Sequence, residues 1–154
     1  MSSPIQNPQI VQLGFVVKDL EATKQQMARF LNVPVPPTVS SGAYEVTKTL
    51  YHGEPAPFAQ CNMAFFYFGT LQVELIQPND APSVWLDHLQ RHGEGIHHIA
   101  FGVKGMNEAI KSCEQWGMSL EQKGEYRRGN GRYAYLNALE PLKIFVELLE
   151  NDEP

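Results

Sequence analysis

Four polar side chains lie at related positions in the two halves of the sequence and could together hold a metal ion. Gln12 and His98 stand 86 positions apart and begin the similar stretches QLGFVVK and HIAFGVK. Glu74 and Glu147 each interrupt an apolar stretch, where a carboxylate without a partner is costly to bury. One imidazole, one amide oxygen and two carboxylates would balance a divalent cation and leave positions open for water or substrate.

The donor types narrow the kind of site without identifying the metal. None of the four residues is a thiolate, so a closed structural zinc site is not predicted. Mn, Co, Ni, Mg, Fe and Zn all remain candidates for one ion per chain. Each residue alone also fits an ordinary role, because a strand Gln or Glu is often at the surface and a lone His is often structural. Their repeat-related positions favour a shared site.

A repeated order of elements is predicted to bring these residues together. A strand, a helix and three strands are followed by the same order again, which indicates a βαβββ unit used twice. Strands are predicted at 9–17, 43–51, 62–68, 71–76, 96–103, 118–125, 132–136 and 143–149, and helices begin after Asp19, at Pro82-Ser83 and at Met106. The chain is therefore predicted to be one domain, 1–154, with module one at about 9–80, a linking helix at about 82–92 and module two at about 96–150.

The first strand of each unit is predicted to have one bulky face and one small face. Gly14 shares the small face with Gln12, and Ala100 shares it with His98, which would leave a hollow for a ligand. His97 falls on the bulky face, so a structural role is predicted for it and the ligand role for His98.

Length, charge and cysteine content exclude several classes of protein. The chain has 154 residues, a net charge of −5 and two cysteines, so a disulfide framework and phosphate-backbone binding are both disfavoured. The longest apolar run, 63–68, is far shorter than the roughly 20 residues that span a bilayer, and residues 1–8 have no secretory signal pattern. A soluble cytoplasmic protein that binds neither nucleic acid nor membrane is predicted.

Two further segments have more than one interpretation. Four basic residues around Gly129-Asn130-Gly131 could bind a CoA phosphate or a glutathione carboxylate, although a solvated hairpin turn is favoured. They are Lys123, Arg127, Arg128 and Arg132. The aromatic run 65–68 is predicted to pack in the sheet core rather than to contact a substrate.

These stretches resemble the vicinal oxygen chelate superfamily, which includes glyoxalases, bleomycin resistance proteins and dioxygenases. The resemblance extends from about Val11 to Glu150, and GEGIHHIAF at 93–101 and VELIQP at 73–78 are similar to methylmalonyl-CoA epimerases. It implies an α+β fold in which two βαβββ modules form a cupped, mostly antiparallel sheet around a central metal cavity. The family's ligand positions fall on Gln12, Glu74, His98 and Glu147.

The resemblance also implies an activity, that of a metal-dependent isomerase or lyase. Such an enzyme would remove a proton next to a carbonyl or thioester, with Glu147 as the base and Glu74 as its partner on the other face. The substrate would be a small molecule, either an acyl-CoA or a thiol conjugate. A homodimer is expected because dimers are common among similar proteins.

The sequence departs from the epimerase pattern at two places. Gln12 stands where epimerases usually carry His, and the set Gln, Glu, His, Glu is that of glyoxalase I-type lactoylglutathione lyases. Residues 137–141, NALEP, replace a His-Pro-Lys pattern. A lyase is therefore one alternative, and a non-catalytic ligand-binding protein of the bleomycin-resistance type is another. Retention of all four candidate ligands disfavours the latter, and a single His in register disfavours a dioxygenase.

Overall fold

The protein, described by a computed structural model over residues 3–153, folds into one curled sheet of ten strands with four helices. Its elements are β1 (Ile10–Val16), α1 (Leu20–Leu31), β2 (Val39–Ser40), α2 (Tyr44–Thr47), β3 (Leu50–Tyr51), β4 (Glu54–Pro55), β5 (Cys61–Phe68), β6 (Leu71–Pro78), α3 (Val84–His92), β7 (Gly95–Gly102), α4 (Met106–Gln115), β8 (Ser119–Glu125), β9 (Gly131–Asn137) and β10 (Phe145–Asn151).

The strand order across the sheet is β2-β5-β6-β1-β7-β10-β9-β8-β3-β4. The pairings β1–β6 and β7–β10 are parallel, and the others are antiparallel. The predicted fold class, a cupped and mostly antiparallel sheet in an α+β protein, is confirmed. None of the helices within residues 3–153 has the length and apolarity needed to span a membrane.

Helices α1 and α4 cover the face of the sheet opposite the cavity. In α1, the Asp19 side chain accepts a hydrogen bond from the Ala22 backbone N–H at 3.0 Å and caps the helix, which confirms the predicted helix start after Asp19. The buried side of α1 packs on Leu13 and Phe15 of β1. The buried side of α4 packs on Ile99 and other apolar residues of the second half. These two cores fix the bulky face of each central strand and direct its small face into the cup.

The strand predicted at 43–51 is wrong. Residues 44–47 form the short helix α2, which ends at Lys48 in a left-handed backbone conformation with a φ of 50°. Only Leu50 and Tyr51 are in a strand, β3. Residues 44–47 alternate between apolar and polar types as in a strand, but the left-handed conformation of Lys48 interrupts extended backbone.

The short hairpin of β3 and β4 belongs to the first half of the sequence, but it pairs with β8, a strand of the second half. The His52 backbone N–H also donates to the Glu121 carbonyl at 2.8 Å. This crossing brings Thr47 and Thr49 to the wall of the cavity. The division of the chain into two modules stays a prediction.

Candidate metal centre

The central four strands, in the order β6-β1-β7-β10, place the predicted ligands in two neighbouring rows across the sheet. In one row, Gly14 of β1 lies between Glu74 of β6 and His98 of β7. In the other row, Ala100 of β7 lies between Gln12 of β1 and Glu147 of β10. A small residue at the middle of each row leaves space for the longer side chains on both sides, so all four converge on the concave face.

Three oxygen atoms surround the Nε2 atom of His98. The Gln12 Oε1 atom lies 2.7 Å away, and the Glu147 Oε2 and Glu74 Oε1 atoms lie 2.8 and 3.5 Å away. All four side chains are buried, with at most 5% of any residue exposed. The structure therefore brings together every residue that the sequence predicted for the site.

The unpaired oxygen atoms of this cluster fit a cation. Of the three oxygens around His98, only that of Gln12 has hydrogen-bond geometry, and neither Glu74 Oε1 nor Glu147 Oε2 has a hydrogen-bond partner among residues 3–153. One ligand atom from each of Glu74, His98 and Glu147 lies within 4.8 Å of the others. A charged carboxylate is costly to bury unless it is paired or binds a metal, so two carboxylate oxygens without a hydrogen-bond partner, beside a neutral amide and an imidazole, suit a divalent ion.

Burial and the charge of Glu147 raise the pKa of Glu74 well above its ordinary value of 4.5. A carboxyl group whose pKa is higher in the folded than in the unfolded chain binds more protons when folded. Without a cation, it therefore reduces stability progressively as the pH rises above its ordinary pKa.

Chelator-treated protein is expected to lose stability as the pH is raised from about 4.5 to 7.5, and Glu74→Gln should reduce this loss. At pH 7.5 the variant should be more stable by about 1–3 kcal/mol, or several degrees in Tm. Thermal unfolding followed by circular dichroism measures both effects. Glu108→Gln, on an exposed surface of α4, is the control. An identical pH profile for Glu74→Gln and wild type would contradict the expectation.

His97 lies in the core, as its position on the bulky face predicted. Its ring is fully buried and stacks on Phe145, with ring centroids 5.1 Å apart. Burial and the neighbouring imidazoles lower the pKa of His97 well below its ordinary value of 6.5. Its Nδ1 atom lies 2.9 Å from the Nδ1 atom of His98, a contact that no pattern in the sequence predicts.

The space beside Gly14 is filled by protein rather than by a ligand. A Cβ atom at this position would overlap the His98 ring. The predicted hollow for a ligand is therefore wrong at Gly14, because its missing side chain makes room for His98 itself. The open space lies further along the cup.

A cavity of about 500 Å³ opens in front of the cluster, a volume typical of small-molecule sites. Its wall includes Met63, Phe65 and Tyr67, which share one face of β5. The prediction that the run 65–68 packs in the core is thus correct for Phe66 and wrong for Phe65 and Tyr67, which line the cavity, and for Phe68, which is 46% exposed. Successive residues of a strand point to opposite faces, so one aromatic run contributes to both core and cavity.

Aromatic residues of β9 and α3, which no motif in the sequence indicates, support the cluster. Tyr135 is paired in register with Glu147 and packs edge-on against the His98 ring, with centroids 5.1 Å apart. Its hydroxyl accepts a hydrogen bond from the Trp85 indole N–H at 3.0 Å.

Gln72 accepts a hydrogen bond from the Gln12 amide and fixes that side chain. Gln72 lies two residues before Glu74, so strand alternation could have indicated it.

The basic residues at 123–132 do not act as one group. Arg132 is committed to ion pairs with Glu125, Glu150 and Asp152. Arg127 is exposed and lines the cavity, and no carboxylate of the described chain lies within ion-pair distance of it. Arg128 is exposed and lies outside the lining. Only Arg127 of this segment is thus a free cation at the cavity.

Comparison with known families gives a match over most of the chain. Residues 11–135 match the sequence model of the glyoxalase/bleomycin resistance protein/dioxygenase superfamily. The chain is also 31% identical over 100 residues to YqjC, an uncharacterized protein of Bacillus subtilis (strain 168), a match that covers 64% of this chain and 71% of that protein.

Solved structures share the fold. A hypothetical protein of Bacillus halodurans C-125 superposes with a TM-score of 0.66 at 24% identity and covers 95% of this chain and 96% of its own. A methylmalonyl-CoA epimerase of Streptomyces coelicolor, in complex with 2-nitronate-propionyl-CoA, superposes with a TM-score of 0.65 at 18% identity. The match covers 94% of this chain and 98% of the epimerase chain. The methylmalonyl-CoA epimerase of Mycobacterium tuberculosis superposes with a TM-score of 0.62 at 18% identity, and the match covers 100% of this chain and 93% of that chain.

Proposed function

This chain belongs to the glyoxalase/bleomycin resistance protein/dioxygenase superfamily, and from that premise we propose that it is a divalent-metal-dependent epimerase or isomerase. Its reaction would begin with removal of a proton next to a carbonyl or thioester. One observation carries the proposal: two buried carboxylates with unpartnered oxygens, Glu74 and Glu147, meet His98 and Gln12 at the wall of a cavity.

Gln12, Glu74, His98 and Glu147 are the residues that would hold the ion. A divalent ion bound there supplies Lewis-acid polarisation of a substrate carbonyl, which favours ionisation at the neighbouring carbon. Two carboxylates with a neutral amide and imidazole carry a charge of −2, so a divalent ion gives a neutral buried set. Mn, Co, Ni, Mg, Fe and Zn remain candidates.

Glu147 is the proposed base, with Glu74 as its counterpart. The two residues lie on β10 and β6, separated by β1 and β7, and both line the cavity. An epimerase exchanges a proton on two faces of one carbon, and carboxylates on opposite sides of His98 suit that requirement. Apolar residues of the lining, among them Met63 and Phe65, would limit the access of water to a carbanionic species.

The proposed substrate is a small acyl group on a thioester carrier such as CoA. The cavity wall formed by β5 is apolar apart from the Tyr67 hydroxyl, which suits an acyl chain. Its volume is enough for the acyl group and part of the carrier, and Arg127 at the wall would face an anionic group of the carrier. The structural neighbour from Streptomyces coelicolor binds a propionyl-CoA derivative, which supports this substrate class.

Arg127→Ala is expected to raise KM for an acyl-CoA about three- to tenfold and to leave kcat nearly unchanged. The guanidinium is exposed, so its contact with an anion should contribute only about 1 kcal/mol. Steady-state kinetics at low salt measure the effect. Arg128→Ala is the matched control, because Arg128 is exposed but does not line the cavity. Equal KM values for the two variants would remove Arg127 from the binding site.

A lactoylglutathione lyase of the glyoxalase I type is the second candidate. The donor set favours it, since Gln12 replaces the His usual in epimerases. The same base and the same cavity would then act on a hemithioacetal of glutathione.

The deciding experiment is proton–deuterium exchange. Metal-loaded protein is incubated in D₂O with methylmalonyl-CoA, and loss of the C2 proton is followed by ¹H NMR. Metal-dependent exchange would support the epimerase. Turnover of methylglyoxal with glutathione, without exchange into methylmalonyl-CoA, would instead favour the lyase. If the protein catalysed neither reaction with any of the six metals, the proposed function would be overturned.

A further inference from the structure

Two adjacent histidines face each other inside the protein through the same ring atom. The Nδ1 atoms of His97 and His98 lie 2.9 Å apart, and both rings are fully buried. The other nitrogen of His98, Nε2, is the atom that faces Gln12, Glu74 and Glu147. His97 is therefore the residue behind the proposed ligand, on the side away from the site.

The geometry determines which atom must carry each proton when His98 binds a metal. A metal bond to Nε2 uses the lone pair of that atom, so the single proton of the neutral His98 ring must lie on Nδ1. The acceptor at hydrogen-bond distance from this Nδ1–H is the Nδ1 atom of His97. His97 then carries its own proton on Nε2.

Within residues 3–153 the His97 ring makes no hydrogen bond other than the contact with His98. Its Nε2 atom is buried and has no hydrogen-bond partner within residues 3–153. The ring packs against Phe145, Tyr135 and His88. An apolar side chain here would bury no unsatisfied nitrogen of its own, but it would leave the Nδ1–H of His98 without an acceptor. The contact with His98 is the interaction that an imidazole supplies here and an apolar ring does not.

We propose that His97 is the positioning residue of the metal centre, accepting the Nδ1–H of His98 and so holding the Nε2 lone pair of His98 towards the metal. This inference rests on the proposed function, since it requires that His98 bind an ion. His97 itself contacts neither substrate nor metal. It acts by fixing the tautomer and orientation of His98, and partners of this kind typically contribute 10- to 100-fold in metal affinity.

The test compares His97→Phe with His97→Asn. Phenylalanine keeps a ring packed against Phe145 but removes the acceptor, whereas the side-chain oxygen of asparagine can take the place of the Nδ1 atom. Isothermal titration with Zn²⁺ is expected to show 10- to 100-fold weaker binding for His97→Phe and partial recovery for His97→Asn. His92→Phe is the control, because His92 lies on the exposed end of α3 and contacts His88 instead of His98.

A second readout needs no variant and is independent of activity. Long-range ¹H–¹⁵N NMR of the Zn²⁺-loaded wild type should show a protonated Nδ1 on His98 and a protonated Nε2 on His97. Wild-type affinity in His97→Phe, or a His98 protonated on Nε2 in the loaded protein, would overturn the inference alone. A wild-type protein that binds none of the candidate ions would overturn the proposed function together with it.

Discussion

Replacing Glu147 with glutamine is expected to lower the rate of α-proton exchange into an acyl-CoA by about a thousandfold. Removal of a general base costs roughly 10²–10⁴ in rate, and glutamine keeps the size of the side chain while it cannot accept the proton. The residue is buried on β10, in register with Ala100 and Tyr135, so the substitution should not disturb the sheet. The assay is NMR-detected exchange at saturating metal, so that weaker metal binding does not account for the loss.

Glu125→Gln is the matched control for that measurement. Glu125 also lines the cavity, but it forms an ion pair with Arg132 and is not in the cluster around His98. Its exchange rate should stay within a few-fold of wild type. If Glu147→Gln exchanged protons as fast as Glu125→Gln, Glu147 would not be the base, and Glu74→Gln would become the next variant to assay.

Gly14→Ala is expected to weaken metal binding at least 100-fold. An added Cβ atom would overlap the His98 ring, and the neighbouring strands β6 and β7 leave β1 little freedom to move. The ring must rotate away from Gln12 and the carboxylates, which removes a ligand. Overpacking of this kind also reduces stability by about 1–3 kcal/mol. Isothermal titration with Co²⁺ measures the affinity, and thermal unfolding measures the stability.

Gly102→Ala separates a specific effect from a general one. Gly102 is a glycine of β7, the strand that carries His98, but a Cβ atom there would meet no atom within 4 Å. The Gly102→Ala variant should bind Co²⁺ like wild type. Near-equal affinities for Gly14→Ala and Gly102→Ala would mean that His98 does not need the space beside Gly14. That result would contradict the row in which Gly14 lies between Glu74 and His98.

The positions of the candidate ligands could be predicted because they depend on short-range patterns. Residue type identified Glu74 and Glu147 as acids in apolar strands, and alternation along the strand distinguished His98 from His97. The repeat related the two halves of the chain. Convergence of the four residues then required only the assumption that both halves surround one shared cavity. The sheet register bears out that juxtaposition.

The walls of the cavity could not be predicted in the same way, because long-range pairing determines them. A strand is predicted at 43–51, yet Lys48 ends a helical turn and Leu50 pairs across the molecule with Lys123. Phe65 was expected in the core because the run 65–68 is uniformly aromatic, which hides the alternation of its faces. The contact between His97 and His98 depends on side-chain rotation, which no spacing in the sequence reports.

Titration of chelator-treated protein with Co²⁺, with the bound ion counted per chain, tests the metal centre most directly. One tightly bound ion per wild-type chain is expected, and His98→Ala should lose it, because His98 is the residue around which the oxygens of Gln12, Glu74 and Glu147 gather. An unchanged stoichiometry and affinity in His98→Ala, or no tight binding by the wild type, would contradict a metal centre at these four residues.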